Sequence, residues 1–114
     1  MVTLAELRRI SAAAFGHRYR LELLWALATA TASQGISLSL LADRCGVTAS
    51  VYYPPVRKMT DSGMVVTSSP ERAGRRVLYA RTGTPVWTGL QMMVEDLAVD
   101  VDLAGVALNW PAAS

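Results

Sequence analysis

The sequence has one cysteine and one histidine in 114 residues. Each scarcity excludes a class of chemistry. Cys45 cannot form an intrachain disulfide by itself, and Cys45 with His17 is too small a ligand set for a thiolate or imidazole metal cluster. There is no glycine-rich phosphate loop and no nucleophile elbow, so two direct signals of nucleotide and acyl-transfer chemistry are missing. The most apolar stretch, residues 23–32, is too short to cross a bilayer and follows Arg18, Arg20 and Glu22. The opening MVTLAELRRI lacks the basic flank, apolar run and cleavage site of an export signal, so a cytoplasmic location with no membrane partner is expected. No internal repeat is visible, and no base follows Arg81.

What is present is unevenly placed. The charge balance is +2 over residues 1–56, +4 over 57–81 and −4 over 82–114. A basic middle and an acidic end suggest one face that meets an anion and one turned away from it. The length suits one small domain, expected over residues 1–108 with 109–114 as a flexible tail. Hydrophobic residues are 52% of the chain and charged residues 18%, an apolar balance for this size that predicts burial against a second copy.

Thr3 and Glu6 form a capping box, and Leu4, Leu7, Ile10 and Ala14 recur at helical spacing, predicting a first helix that Gly16 ends. Leu21, Leu24 and Ala28 beside Leu23, Leu27 and Ala30 predict a central second helix over residues 17–32. Ser39 is the expected N-cap of the next helix, residues 40–45; Gly46 supplies a turn, Val47 packs inward and Thr48 caps a further helix. That is helix-turn-helix spacing. Residues 64–67 and 77–81 are β-rich runs around a basic loop, which reads as a hairpin wing. A last helix is expected from the stripe Val86, Leu90, Met93, Val94, Leu97 and Val101. The fold class is therefore mainly α with a small β-hairpin, a winged helix-turn-helix with helices flanking the motif.

Three stretches occur in order: FGHRYRLELLWAL, then LADRCGVTAS with VRKMTDSGMV, then GRRVLYART. Together they resemble the ArsR/SmtB-like winged-helix regulators over roughly residues 10–100. The resemblance implies a homodimeric transcriptional repressor that binds double-stranded DNA. It implies an interface of Leu4 and Leu7 from the first helix with Trp87, Leu90, Val94 and Leu97 from the last. Metal-sensing branches of that family use a Cys-x-Cys pair or acid and His ligands on the last helix. The matching positions here look like Ser37 and Ser39, and the last helix has no His. Hydroxyls are poor ligands for a thiophilic ion, so no metal and no cofactor is expected.

One stretch strains this reading: TASVYYPPVRKMTDSG, residues 48–63, carries Pro54 and Pro55 inside the expected reading helix. In a continuous helix capped by Thr48 each proline would cost about 3 kcal/mol. A short turn over 48–52 and a restart, with Tyr53 as N-cap and Pro54 at the first position, avoids that cost and is favoured. Val51, Tyr52, Val56 and Met59 would then pack on the second helix, with both prolines facing the groove. Prolines cannot donate to base edges, so readout should fall to Thr48, Ser50, Tyr53 and Arg57, with Lys58 at phosphate or base. Arg72, Arg75 and Arg76 in the wing are the expected contacts to phosphate or minor groove.

The remaining chemistry-bearing residues have plainer roles. Cys45 reads as a small buried hydrophobe and His17 as a capping or surface residue. Trp25, Trp87 and Trp110 read as core or interface, while Glu95, Asp96, Asp100 and Asp102 read as a solvated face without nucleophile or pocket. No enzymatic activity is expected. The rival to DNA binding is a protein-interaction module docking through Tyr52, Tyr53, Pro54 and Pro55. Any small-molecule or protein effector is left unidentified.

Overall fold

The structure is a computed structural model and describes residues 1–68 and 77–110. Helix α1, Leu4–Phe15, starts at its capping box: the Thr3 hydroxyl accepts from the Glu6 amide at 3.2 Å. Gly16 stops it at φ 71°, a left-handed conformation that a side chain would strain. Helix α2, Arg20–Thr29, is shorter at both ends than its apolar stretch predicts. Its ends are set from outside. Buried Ser11 on α1 accepts from the Leu21 amide at 3.0 Å and donates to the His17 carbonyl, satisfying an otherwise orphaned first-turn donor. At the other end the Arg81 guanidinium donates to the carbonyls of Leu27, Ala28 and Ala30. Residues 21–28 are all buried, so α2 is the axis of the core.

Helix α3, Leu38–Cys45, begins earlier than expected: its N-cap is Ser37, whose hydroxyl accepts from the Leu40 amide at 3.3 Å, and not Ser39. Leu38 and Leu41 are buried, and starting the helix at Leu38 aims both inward. Gly46 turns the chain at φ 70°, followed by a 3-10 turn, Ala49–Tyr52, and α4, Tyr53–Asp61. Strands β1 (Gln34–Ile36), β2 (Val65–Thr67), β3 (Tyr79–Arg81) and β4 (Ala107–Asn109) form one antiparallel sheet in the order β2-β3-β1-β4. The hairpin pairs Val65 with Arg81 and Thr67 with Tyr79. Residues 69–76, which hold the wing loop's Arg72, Arg75 and Arg76, lie outside the described residues.

Three expectations need correction. The tail does not begin at residue 109, because Asn109 pairs with Gln34, and Trp110 lies so close to Gly35 that a Cβ there would meet its ring at 2.9 Å. Helix α5, Val86–Glu95, stops well short of Val101. Beyond it the backbone is drawn to the N-terminus: the Val2 amide donates to Ala98 at 2.7 Å and the Asp100 amide donates to Val2 at 2.9 Å. Leu97 and Val101 therefore pack on the core from non-helical backbone. The expected dimer residues Leu7, Trp87 and Val94 are 0%, 2% and 7% exposed within one chain. They are core, with the Trp87 indole donating to the Met64 carbonyl at 2.8 Å, while Leu4, Leu90 and Leu97 are half-buried against that core.

Candidate nucleic-acid interface

The proline pair is accommodated by a restart. The 3-10 turn Ala49–Tyr52 ends where α4 begins, and both prolines fall in the first turn of α4, where amides have no carbonyl of the same helix to reach. The cap is Tyr52, one residue earlier than expected. Only Pro54 is exposed; Pro55 is buried, so the expectation that both face a groove is corrected. Ring volume replaces amide donors at this point: Pro55, Val56 and Met59 form the buried side of α4.

Thr48, Ser50, Tyr53 and Arg57 lie on the exposed side of this unit. The Thr48 and Ser50 hydroxyls are 2.9 Å apart, and Tyr53 is 45% exposed. Tyr53 and Arg57, one helical turn apart, line a notch of about 200 Å³ with Thr60, Asp61, Thr67 and Tyr79, between α4 and the hairpin strands. Burial raises the Tyr79 phenol above its ordinary range, the Tyr53 side chain adds to this, and Arg57 opposes it. The notch thus offers a guanidinium, phenols and hydroxyls beside the Asp61 carboxylate, a mixed donor and acceptor lining suited to base edges, with Arg57 as its group for phosphate oxygens. Thr67 and Tyr79 escaped sequence reasoning because a strand residue joins a helix face only through the sheet register. Lys58 is not part of this notch; it lines a separate groove with Phe15, Arg20 and Val86.

Beneath the interface lies a buried polar network that the sequence reading missed. Glu22, in the middle of α2, is 1% exposed. Its carboxylate accepts from Arg8 Nε at 2.7 Å, from Arg8 Nη2 at 3.2 Å and from the Tyr52 hydroxyl at 2.7 Å. Arg8 also donates to the Cys45 carbonyl at 3.0 Å, closing the end of α3, and its guanidinium sits 5.1 Å from the Tyr19 ring centre. One carboxylate thereby ties α1 and α2 to the residue that caps α4. The guanidinium is held above its ordinary pKa by its hydrogen bond to Glu22, and burial followed by the same carboxylate pushes the Tyr52 phenol up. A Glu within the apolar run LELLW was the available signal.

Cys45 is buried beside this network, and burial pushes its thiol up to about 11, which favours the unreactive thiol. His17 Nδ1 accepts from the Tyr19 amide at 3.2 Å, a local cap. The Ser37 and Ser39 hydroxyls are 3.0 Å apart at the start of α3. Trp25 and Trp87 belong to the core, and Glu95, Asp96, Asp100 and Asp102 are exposed. Among the described residues, no three His, Cys, Asp or Glu side chains gather as a metal site, and no helix is long and apolar enough to cross a membrane.

A helix-turn-helix followed by an antiparallel hairpin and braced by flanking helices defines a winged helix-turn-helix fold. Solved structures share it. The transcriptional regulator BldR from Sulfolobus solfataricus is 20% identical, with a TM-score of 0.53 over 81% of this chain and 63% of that one. A MarR-family transcriptional regulator from Rhodococcus sp. RHA1 is 22% identical, with a TM-score of 0.52 over 81% of this chain and 61% of that one. The chain thus spans a little under two thirds of either structure's length. No family model matches the sequence, and no curated protein matches it.

Proposed function

We propose that the chain is a DNA-binding transcriptional regulator, a homodimeric repressor built as one winged-helix domain over residues 1–110. The observation that carries this is the exposed edge of Thr48, Ser50, Tyr53 and Arg57 at the restarted helix, beside the hairpin. In this reading that edge enters the major groove and Tyr79 supports Arg57. Arg72, Arg75 and Arg76 reach flanking phosphate or minor groove. Occupation of promoter DNA then blocks transcription. The three sequence stretches support ArsR/SmtB-like affiliation as the finer reading, in a form whose thiolate pair is replaced by Ser37 and Ser39.

A second reading, docking of a partner protein, is favoured by the exposure of Tyr53 and Pro54. Selection of duplexes from a random pool, followed by footprinting, separates the two. The DNA reading expects enrichment of a symmetric sequence with half-sites about one helical turn apart. Protection of a single half-site refutes the dimer, and absence of enrichment at low salt refutes DNA binding.

A further inference from the structure

The turn that joins α1 to α2 carries cations with no carboxylate to answer them. Arg18 is exposed, Arg20 is half-buried, and Lys58 of α4 is exposed beside them. The ion pairs among the described residues are Arg8 with Glu22 and Arg44 with Asp102, so none of these three is paired there. Arg20 and Lys58 line one groove, and both act on the His17 imidazole, which burial and then these two charges hold below its ordinary value. The Arg18 guanidinium sits 5.8 Å from the centre of the Tyr19 ring, which in turn stands 6.3 Å from the His17 ring. His17, Arg18, Arg20 and Lys58 therefore form one basic cluster, drawn from the turn, the first residue of α2 and one flank of α4.

Backbone donors at this turn are already committed. The amides of Tyr19, Arg20 and Leu21 donate to His17 Nδ1, the His17 carbonyl and the Ser11 hydroxyl, so an anion here is held by side chains. Arg20 spends one nitrogen on the Phe15 carbonyl at 3.1 Å, while Arg18 and Lys58 make no hydrogen bond to a described residue. Because His17 Nδ1 accepts, the neutral ring carries its proton on Nε2, a further donor.

The place of the cluster beside the reading edge decides what it meets. Arg57 and Lys58 are consecutive, so they leave α4 about 100° apart. Arg57 turns to the hairpin, into the notch with Thr67 and Tyr79, and Lys58 turns to the opposite flank, toward Phe15 and Arg20. A helix with its side chains is about 10–12 Å across and the major groove about 12 Å wide, so a helix lying in that groove has a phosphate strand on each side. The hairpin stands over one strand and the cluster over the other.

We propose that the turn between α1 and α2 is a second phosphate-binding edge: Arg18, Arg20 and Lys58, with His17 Nε2, hold the backbone strand on the side of the major groove away from the hairpin. The proposal rests on the DNA-binding reading above and adds to it an element outside both the helix-turn-helix and the wing. Contacts of this kind fix the orientation of α4 and add affinity without choosing sequence.

Arg18→Gln/Lys58→Gln tests it, because both side chains are exposed and the helical circular dichroism should be unchanged. Ethylation interference on a duplex recovered by selection should show, for the wild type, blocked phosphates on both strands of each half-site. The variant should lose the set on one strand and keep the other, and Arg75→Ala/Arg76→Ala should do the reverse. In anisotropy titrations the variant should bind selected and random duplexes more weakly by the same factor, about tenfold or more. Its logarithmic salt slope should be shallower by about four, two for each subunit of the dimer. The ring signals of His17, the sole histidine of the chain, should move in nuclear magnetic resonance spectra when duplex is added. A wild-type interference pattern and salt slope in the variant, or stationary His17 signals, would overturn the proposal while wild-type binding leaves the DNA reading standing. A wild type that binds no duplex at low salt would overturn both.

Discussion

Replacing Tyr52 by phenylalanine removes a single oxygen from the centre of the protein, and its surroundings set the cost. The hydroxyl donates to Glu22 Oε2 at 2.7 Å, and the two residues are 0% and 1% exposed, so water cannot take its place. A hydrogen bond to a charged group contributes about 1.5–3 kcal/mol. The carboxylate keeps both Arg8 contacts, at 2.7 and 3.2 Å, which places the expected loss near the lower end, about 2 kcal/mol. In a chain of this size that is a melting-temperature drop of roughly 8 °C. Arg8→Ala should cost more, about 3–5 kcal/mol, because it leaves a buried carboxylate without its cation. It also removes the donor to the Cys45 carbonyl. The two substitutions act on one carboxylate, so the double variant should depart from additivity by at least about 0.5 kcal/mol. Urea unfolding followed by circular dichroism reads all three. A Tyr52→Phe protein within about 0.5 kcal/mol of wild type, or an Arg8→Ala protein less affected than Tyr52→Phe, would refute the reasoning.

Other expectations concern single sites. Pro54→Ala should change stability by no more than about 0.5 kcal/mol, because the first turn of α4 has no hydrogen bond there to regain, whereas buried Pro55→Ala should cost about 1 kcal/mol; equal effects in urea unfolding would contradict the restart geometry. Gly35→Ala should destabilise by about 1–3 kcal/mol, since the new Cβ would meet the Trp110 ring at 2.9 Å and Leu78 Cβ at 3.0 Å; an unchanged melting temperature would remove Trp110 from the fold. Burial, followed by Arg20 and Lys58, holds the His17 imidazole below its ordinary value, so the unfolded chain takes up the proton first. Its contribution is full above about pH 6.5 and is lost as the pH falls through the lowered native value; His17→Gln should flatten the stability curve there, and an unaltered slope would refute the assignment.

Features governed by local chemistry were legible in the residues. The Thr3 and Glu6 box, the glycines at 16 and 46, and the restart at the proline pair all depend on backbone preferences within a few positions. Features governed by distant partners were not. Strands β1 and β4 are three residues each, too short for alternation to register, and they exist because Gln34 finds Asn109 and Ile36 finds Ala107. The apolar rhythm of α5 continues to Val101, yet beyond Glu95 the backbone bonds to Val2, which donates to Ala98 and accepts from Asp100, so periodicity overstated the helix's length. The candidate interface divides in the same way. Thr48, Ser50, Tyr53 and Arg57 could be placed by their position in the motif. The separation of Lys58 from Arg57, the arrival of Tyr79 beside Arg57 and the Glu22 network required the packing of α1, α2 and the sheet.

Fluorescence anisotropy of a labelled duplex, titrated with protein across a salt series, tests the central claim most directly. It should be run with wild type, Arg57→Ala and Arg75→Ala/Arg76→Ala. The account expects affinity to fall steeply as salt rises, and the logarithmic slope to be shallower by about four in the double variant, two for each wing of the dimer. Arg57→Ala should lose about 1–3 kcal/mol on a selected sequence and much less on a random one. No binding at low salt, or wild-type affinity and slope in both variants, would contradict it.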